Sequence, residues 1–127
     1  MISVKLNMRA ISSPRPRVLK SGITYMPKSY TQYKDYIASK FKGFKSFGKL
    51  PLVMELLMVF KTPLKVKNNK YSMPVGDVDN LYKSIADSLE GVVYENDRQI
   101  VETKIKKMYG EFDCIFINIK EYVEDKT

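Results

Sequence analysis

The chain has 127 residues, a length that suits one domain with a core of its own, and 44% hydrophobic and 28% charged residues place it among folded globules rather than disordered chains. It has no histidine and one cysteine, Cys114, which exclude Ser-His-Asp catalysis, an HExxH zinc site, thiolate zinc clusters and an internal disulfide; its six glycines form neither GxGxxG nor a P-loop, so no nucleotide cofactor is expected. Twenty-two Lys and Arg against 14 Asp and Glu give a net charge of +8, and the imbalance is uneven: residues 1–76 hold fifteen basic and two acidic side chains, residues 77–127 seven and twelve. Such a basic chain favours polyanions, nucleic acid before an anionic membrane surface, with a merely solubilising surface as the bland alternative.

In chain order, residues 2–11 alternate loosely and predict a first strand. Pro14-Arg15-Pro16-Arg17 forbids a helix and holds two arginines on an extended segment. Residues 18–26 fit a short strand or hairpin arm. From Ser29 to about Phe44 the apolar residues Tyr30, Tyr33, Ile37 and Phe41 recur at helical spacing, with Ser29 or Thr31 as the cap and Gly43 and Gly48 as the stop. These aromatic residues read as core. Residues 51–61, apolar on both faces, predict a strand in the middle of a sheet; Glu55 within it either faces a site, pairs with a lysine or lies on an edge. The run Leu52–Phe60 is too short to span a bilayer, no signal peptide is visible at the N-terminus, and no segment reads as a membrane-binding basic helix. The expectation is therefore a cytoplasmic protein.

A basic loop over residues 62–76 carries Lys65, Lys67 and Lys70. A helix from Asp77 or Val78 to Glu90 follows, stopped by Gly91. Residues 92–99 form a turn, and strands 100–109 and 112–122, joined at Gly110, predict a hairpin; Cys114 is expected to be buried and residues 123–127 frayed. The order strand, helix, strand, helix, hairpin predicts a single α+β domain over residues 1–127: a small mixed β-sheet with two main helices.

The chemistry lies in residues 76–101. On a helix, Val78, Leu81, Tyr82, Ile85 and Leu89 share one face, and Asp79, Lys83, Asp87 and Glu90 the other. Asp77 and Asp79 stand at the helix start, and Asp97 lies in the turn after it, able to fold back. Each has a plain structural reading as well: Asp77 as an N-cap, Asp79–Lys83 as a surface ion pair, Asp97 as a turn former. Carboxylates clustered on a chain that attracts phosphate need a bridging cation, and oxygen ligands without His or Cys select Mg²⁺, or Mn²⁺ in its place. That is the equipment of a metal-assisted phosphodiesterase.

The segment Asp77-Val78-Asp79-Asn80-Leu81-Tyr82-Lys83, then Asp87, then Asn96-Asp97 with Gln99 and Val101, resembles the signature of the RusA Holliday-junction resolvases of bacteria and prophages, and Pro14-Arg15-Pro16-Arg17 with Tyr30 and Tyr33 resembles its phage-type members. The chain departs from many relatives in carrying Asn96 where they have a second acid. The resemblance implies a RusA-like homodimer in a bacterial or phage-infected cell that cuts four-way junctions by paired, Mg²⁺-dependent nicks, in DNA recombination and repair. It implies Asp77, Asp79 and Asp97 as metal ligands and Lys83 at the scissile phosphate, with Asp87 and Asn80 supporting them. Arg15, Arg17, Lys65, Lys67 and Lys70 are then DNA-backbone contacts, or else only solubilise their loops. The competing readings are a non-catalytic nucleic-acid-binding module and a metal-dependent nuclease for another branched or single-stranded DNA.

Overall fold

The computed structural model describes residues 1–64 and 73–124. Six strands and two helices follow in the order β1 (Ile2–Leu6), β2 (Arg17–Val18), β3 (Thr24–Tyr25), α1 (Lys28–Ser39), β4 (Leu52–Lys61), α2 (Val78–Leu89), β5 (Ile100–Gly110) and β6 (Cys114–Glu121). β1, β6, β4 and β5 lie side by side in that order, while β2 and β3 make a small separate ribbon. β4 runs antiparallel to β6 and parallel to β5, so the sheet is mixed and the class is α+β, as the order of elements predicts.

Two elements, β1 and α1, differ in their bounds from the sequence expectation. β1 ends at Leu6, because Asn7 onward leaves the ladder with β6. α1 starts behind Pro27, with neither Ser29 nor Thr31 capping it, and ends at Ser39 ahead of both glycines. Pro27 takes the N-cap position with extended backbone (ψ 140°), which sets the start one residue earlier than Ser29.

The predicted hairpin is also corrected. β5 and β6 do not pair with each other; β4 lies between them and bonds to both. Local order in the sequence suggested a tight turn, but the connection instead steps over the end of β4. Asp113 Oδ1 accepts a 2.7 Å hydrogen bond from the Lys61 amide, and Gly110 O accepts a 2.9 Å bond from the Thr62 amide. Those bonds satisfy the backbone groups at the end of the central strand, which an ordinary hairpin turn would leave open. The central place of β4 explains its apolar composition, since both of its edges are paired and one face lies beneath the helices.

β4, α2 and β5 form a parallel crossover unit, with α2 running back along the sheet to join the two strands. α1 packs beside α2 on the same face. Leu52, Met54, Leu56, Met58 and Phe60 of β4 alternate inward with Ile115, Ile117 and Ile119 of β6. They meet Tyr30, Tyr33, Ile37 and Phe41, and Leu81, Ile85 and Leu89. The tyrosines and Phe41 are thus core, as is Cys114, which is buried in β6. Buried Ser84 and Ser88 line the tight contact between the helices: Tyr33 Oη and Ser84 Oγ stand 3.0 Å apart, and Ser88 Oγ bonds back to Ser84 O at 2.6 Å. Val78, predicted on the apolar face, is exposed because it sits in the first turn beyond the edge of the core. Glu55 is half-buried on the sheet face that the helices leave uncovered, in register with Lys104 and Asn118.

Candidate active site

The N-terminal end of α2 is built by a turn through Gly76, whose φ of +107° suits glycine. Asp77 occupies the N-cap position with extended backbone, yet its side chain makes no capping bond, so the carboxylate is not engaged in holding the helix. Asp79 and Lys83 are exposed one turn apart and do not pair: among the described residues the ion pair is Arg9–Asp113, at 3.6 Å. Both local readings of these residues, cap and surface ion pair, are therefore absent. Asn80 contributes through its backbone, its carbonyl accepting a 3.1 Å bond from the Ser13 amide. That bond lays the segment leading to exposed Arg15 against the start of α2. Lys65, Lys67 and Lys70 and the side chain of Arg17 lie outside the described residues.

At the other end of α2, Gly91 (φ +79°) stops the helix and the chain doubles back. The Gly91 amide donates to Tyr94 O at 2.7 Å, and Tyr94 Oη donates to Ala86 O at 2.5 Å. The next four residues are locked by their own side chains. Asn96 Oδ1 accepts from the Arg98 amide at 2.9 Å, and Gln99 Oε1 accepts from the amides of Asn96 and Glu95 at 2.9 and 2.8 Å. Gln99 Nε2 then donates to Gly48 O and Leu50 O at 2.8 and 2.9 Å, fastening the turn to the segment after α1. Asn96 thus has a task an acid would also perform through its oxygen: it caps the single 3-10 turn Asp97–Gln99.

This turn carries Asp97 back to the helix, as the sequence suggests, and brings it to Asp87 and Glu90. Oxygens of the three carboxylates all lie within 4.8 Å of one another, Asp87 half-buried and the other two exposed. Their field reaches two tyrosines beneath them. Burial, followed by the charges of Asp97 and Asp87, holds the Tyr82 phenol above its usual range. Tyr94 is pushed up further, by burial first and then by Tyr82, Asp97, Glu90 and Asp87. Both tyrosines stay protonated at any ordinary pH and add no negative charge to the group.

The site therefore has two acidic ends. Asp77 and Asp79 stand at the start of α2, and Asp87, Glu90 and Asp97 at its finish. Asp87 follows Asp79 by eight positions, about 12 Å along a helix, so the fold gathers Asp97 with Asp87 and Glu90 and not with Asp77 and Asp79; Lys83 lies midway, one turn from each end. Glu90 is the member to which sequence reasoning gave no role; its spacing of three from Asp87, just before a helix-stopping glycine, is the signal that points to it. The group fits a hard divalent cation. Oxygens sharing an ion bound at about 2.1 Å stand roughly 3–4 Å apart, which a small rotation of exposed carboxylates achieves.

Gln99 is expected to be a structural determinant of this end. Gln99→Leu removes four hydrogen bonds that fix the turn and should lower stability by about 1–3 kcal/mol, with weaker Mn²⁺ binding, in thermal unfolding and Mn²⁺ titration. An unchanged unfolding midpoint would show that the turn holds without it.

A basic fold with only oxygen ligands, displayed on one helix and its returning turn, has the chemistry of a phosphodiester-cleaving protein that works with a hard cation. The chain belongs to the RusA endodeoxyribonuclease family, whose model matches residues 7–120. It is also similar to a protein of Bacillus subtilis (strain 168) described as "Uncharacterized protein YqaN", with 26% identity over 128 residues covering 87% of this chain and 89% of that one. Membership of this family makes the chain a DNA-cleaving hydrolase. No helix among the described residues is long and apolar enough to cross a membrane.

Proposed function

We propose that this protein is a Mg²⁺-dependent endonuclease that resolves four-way DNA junctions by paired, symmetric nicks, in DNA recombination and repair. The observation that carries the proposal is the convergence of Asp87, Glu90 and Asp97 in a chain of net charge +8, beside a lysine that makes no ion pair among the described residues. Carboxylates held this close repel one another, and a bound cation removes that repulsion. Asp77, Asp79 and Asp97 are the proposed metal ligands; Asp97 acts with Asp87 and Glu90 at the end of α2, and Asp77 and Asp79, about 12 Å away along the helix, hold a cation of their own rather than sharing that one. A Mg²⁺ or Mn²⁺ ion held by these carboxylates would supply water activation and charge neutralisation at the scissile phosphate. Lys83, midway between the acidic ends, meets the scissile phosphate as a point charge. Asn80 ties Ser13, and through it the extended arginine segment, to the start of α2. Arg15 and Arg17, with Lys65, Lys67 and Lys70, contact the DNA backbone.

Two symmetric cuts need two sites, so the working form in this reading is a homodimer whose two-fold axis matches that of the junction. The test is cleavage of a labelled four-way junction, a duplex and a single strand, with and without Mg²⁺. Selective, Mg²⁺-dependent cutting of the junction is expected, together with a dimer in sedimentation at micromolar concentration. Junction affinity should fall steeply with salt, each neutralised phosphate adding about 0.9 to the log–log slope. Cutting of single strands in preference to junctions would favour a different nuclease, and junction binding without cutting in Mg²⁺ would favour a non-catalytic module.

A further inference from the structure

The entry to α2 is held by a side chain from a different element. Lys107 lies on β5, in register with Met58 of β4, and is half-buried. Its ammonium donates to Pro74 O at 2.7 Å and to Gly76 O at 2.6 Å. It has no carboxylate partner among the described residues. Gly76 O belongs to the peptide group that it shares with the Asp77 amide, so one of the two bonds fixes the plane from which Asp77 departs. Tyr109, two residues further along the strand, donates to Met73 O at 3.3 Å, extending the same tether.

Local stability does not account for this lysine. A cation beside a helix N-terminus meets the positive end of the helix dipole and is disfavoured there. Asp77 leaves the cap bond unmade, so the first turn lacks its ordinary side-chain fastening. Gly76 cannot take over that task by packing: a Cβ there would meet Ser12 Oγ at 3.1 Å and Leu81 Cδ1 at 3.3 Å. The side-chain fastening of the peptide that leads into Asp77 is the pair of short, charge-assisted bonds from Lys107, which are stronger and more directional than bonds between neutral groups. Their effect is felt at the residues that follow at once, Asp77 and Asp79.

We propose that Lys107 is a positioning residue of the active site: by clamping the carbonyls of Pro74 and Gly76 it sets the direction of the Asp77 and Asp79 carboxylates. The inference rests on the nuclease reading above, and its test separates the two. In the full chain, Lys107→Met keeps the aliphatic stem and removes the donors. Cleavage of the four-way junction at saturating DNA should drop by about 10–100-fold, as misplaced catalytic groups do. The Mg²⁺ concentration for half-maximal rate should rise several-fold, while junction affinity in Ca²⁺ stays unchanged. Lys107→Arg, whose guanidinium reaches both carbonyls, should restore most of the rate. Lys106→Met, on the opposite face of β5, is the control.

The exchange of the Leu81 amide, which closes the first turn on Asp77 O at 3.0 Å, gives a readout independent of cutting. It should quicken at least ten-fold in Lys107→Met and return with arginine. Normal cleavage and unchanged Leu81 exchange in Lys107→Met overturn the proposal. Asp79→Asn is measured alongside. If it cuts normally, the assignment of Asp79 fails; if it is inactive while Lys107→Met is normal, Lys107 alone has no positioning role. Should Lys107→Met fail to fold, Lys107→Gln, with one carbonyl in reach, carries the same comparison, and parental cleavage with parental Leu81 exchange in that variant overturns the proposal equally.

Discussion

Replacing Asp97 with Asn should leave the protein folded and reduce junction cleavage by about 10²–10³-fold, the loss typical when a group that stabilises transition-state charge is removed. The turn that holds Asp97 is fastened by Asn96 and Gln99 and by the Ile100 amide on Asp97 O, none of which involves the Asp97 carboxylate. The substitution therefore keeps the shape and removes the charge that Asp87 and Glu90 share with it. Junction binding without metal should survive or tighten, because one repulsive charge near the phosphates is gone. Glu90→Gln should move in the same direction by a smaller factor, with weaker Mn²⁺ binding in the absence of DNA. Lys83→Ala should differ in kind: it removes a cation, so it slows cutting and weakens binding together. Asp35→Asn, at an exposed position of α1, should change neither. A folded Asp97→Asn protein that cuts junctions at the parental rate in Mg²⁺ would remove Asp97 from the chemistry.

The largest effect on stability should come from Ile85→Ala. Ile85 is fully buried at the middle of α2, facing the sheet between Leu81 and Leu89. Removing three carbons from a close-packed site leaves a cavity, and such changes typically lower stability by about 2–5 kcal/mol. Against a total of roughly 5–15 kcal/mol for a domain of ordinary stability, that is a large share. Because α2 carries both acidic ends and Lys83, partial loosening should also weaken metal binding before the chain unfolds. Urea unfolding followed by circular dichroism measures the first effect, and an unfolding midpoint equal to the parent's would contradict the placement of Ile85 in the core.

Most of the core was legible from helical and strand periodicity. Tyr30, Tyr33, Ile37 and Phe41 announce α1 by their spacing, Leu81, Ile85 and Leu89 announce α2, and both pack where that spacing puts them. The doubly apolar run from Leu52 announces a central strand, because a strand paired on both edges has no polar rim to display. The partners of that strand were not legible. Residues 100–121 look like one hairpin because nearest neighbours usually pair, and nothing local marks the step over the end of β4. That step is fixed by a long-range bond between Lys61 and Asp113. In the site, the composition of residues 77–97 points to oxygen ligands and a hard cation, and the turn at Gly91 returns Asp97 to the helix. Which acids Asp97 meets depends on where along α2 the chain comes back. Tyr94, anchored on Ala86 O, decides that in favour of the last turn and so brings in Glu90. The role of Gln99 was equally hidden, since its partners at Gly48 and Leu50 lie about fifty residues away in the chain.

The most direct measurement is to map the cuts on a four-way junction labelled in turn on each of its four strands. The proposed function predicts two nicks, in opposite strands and at symmetric positions about the branch point, made only with Mg²⁺ or Mn²⁺ present and lost in Asp97→Asn. Cuts that fall in single strands or flaps, that lack the symmetric partner, or that persist in EDTA would contradict it.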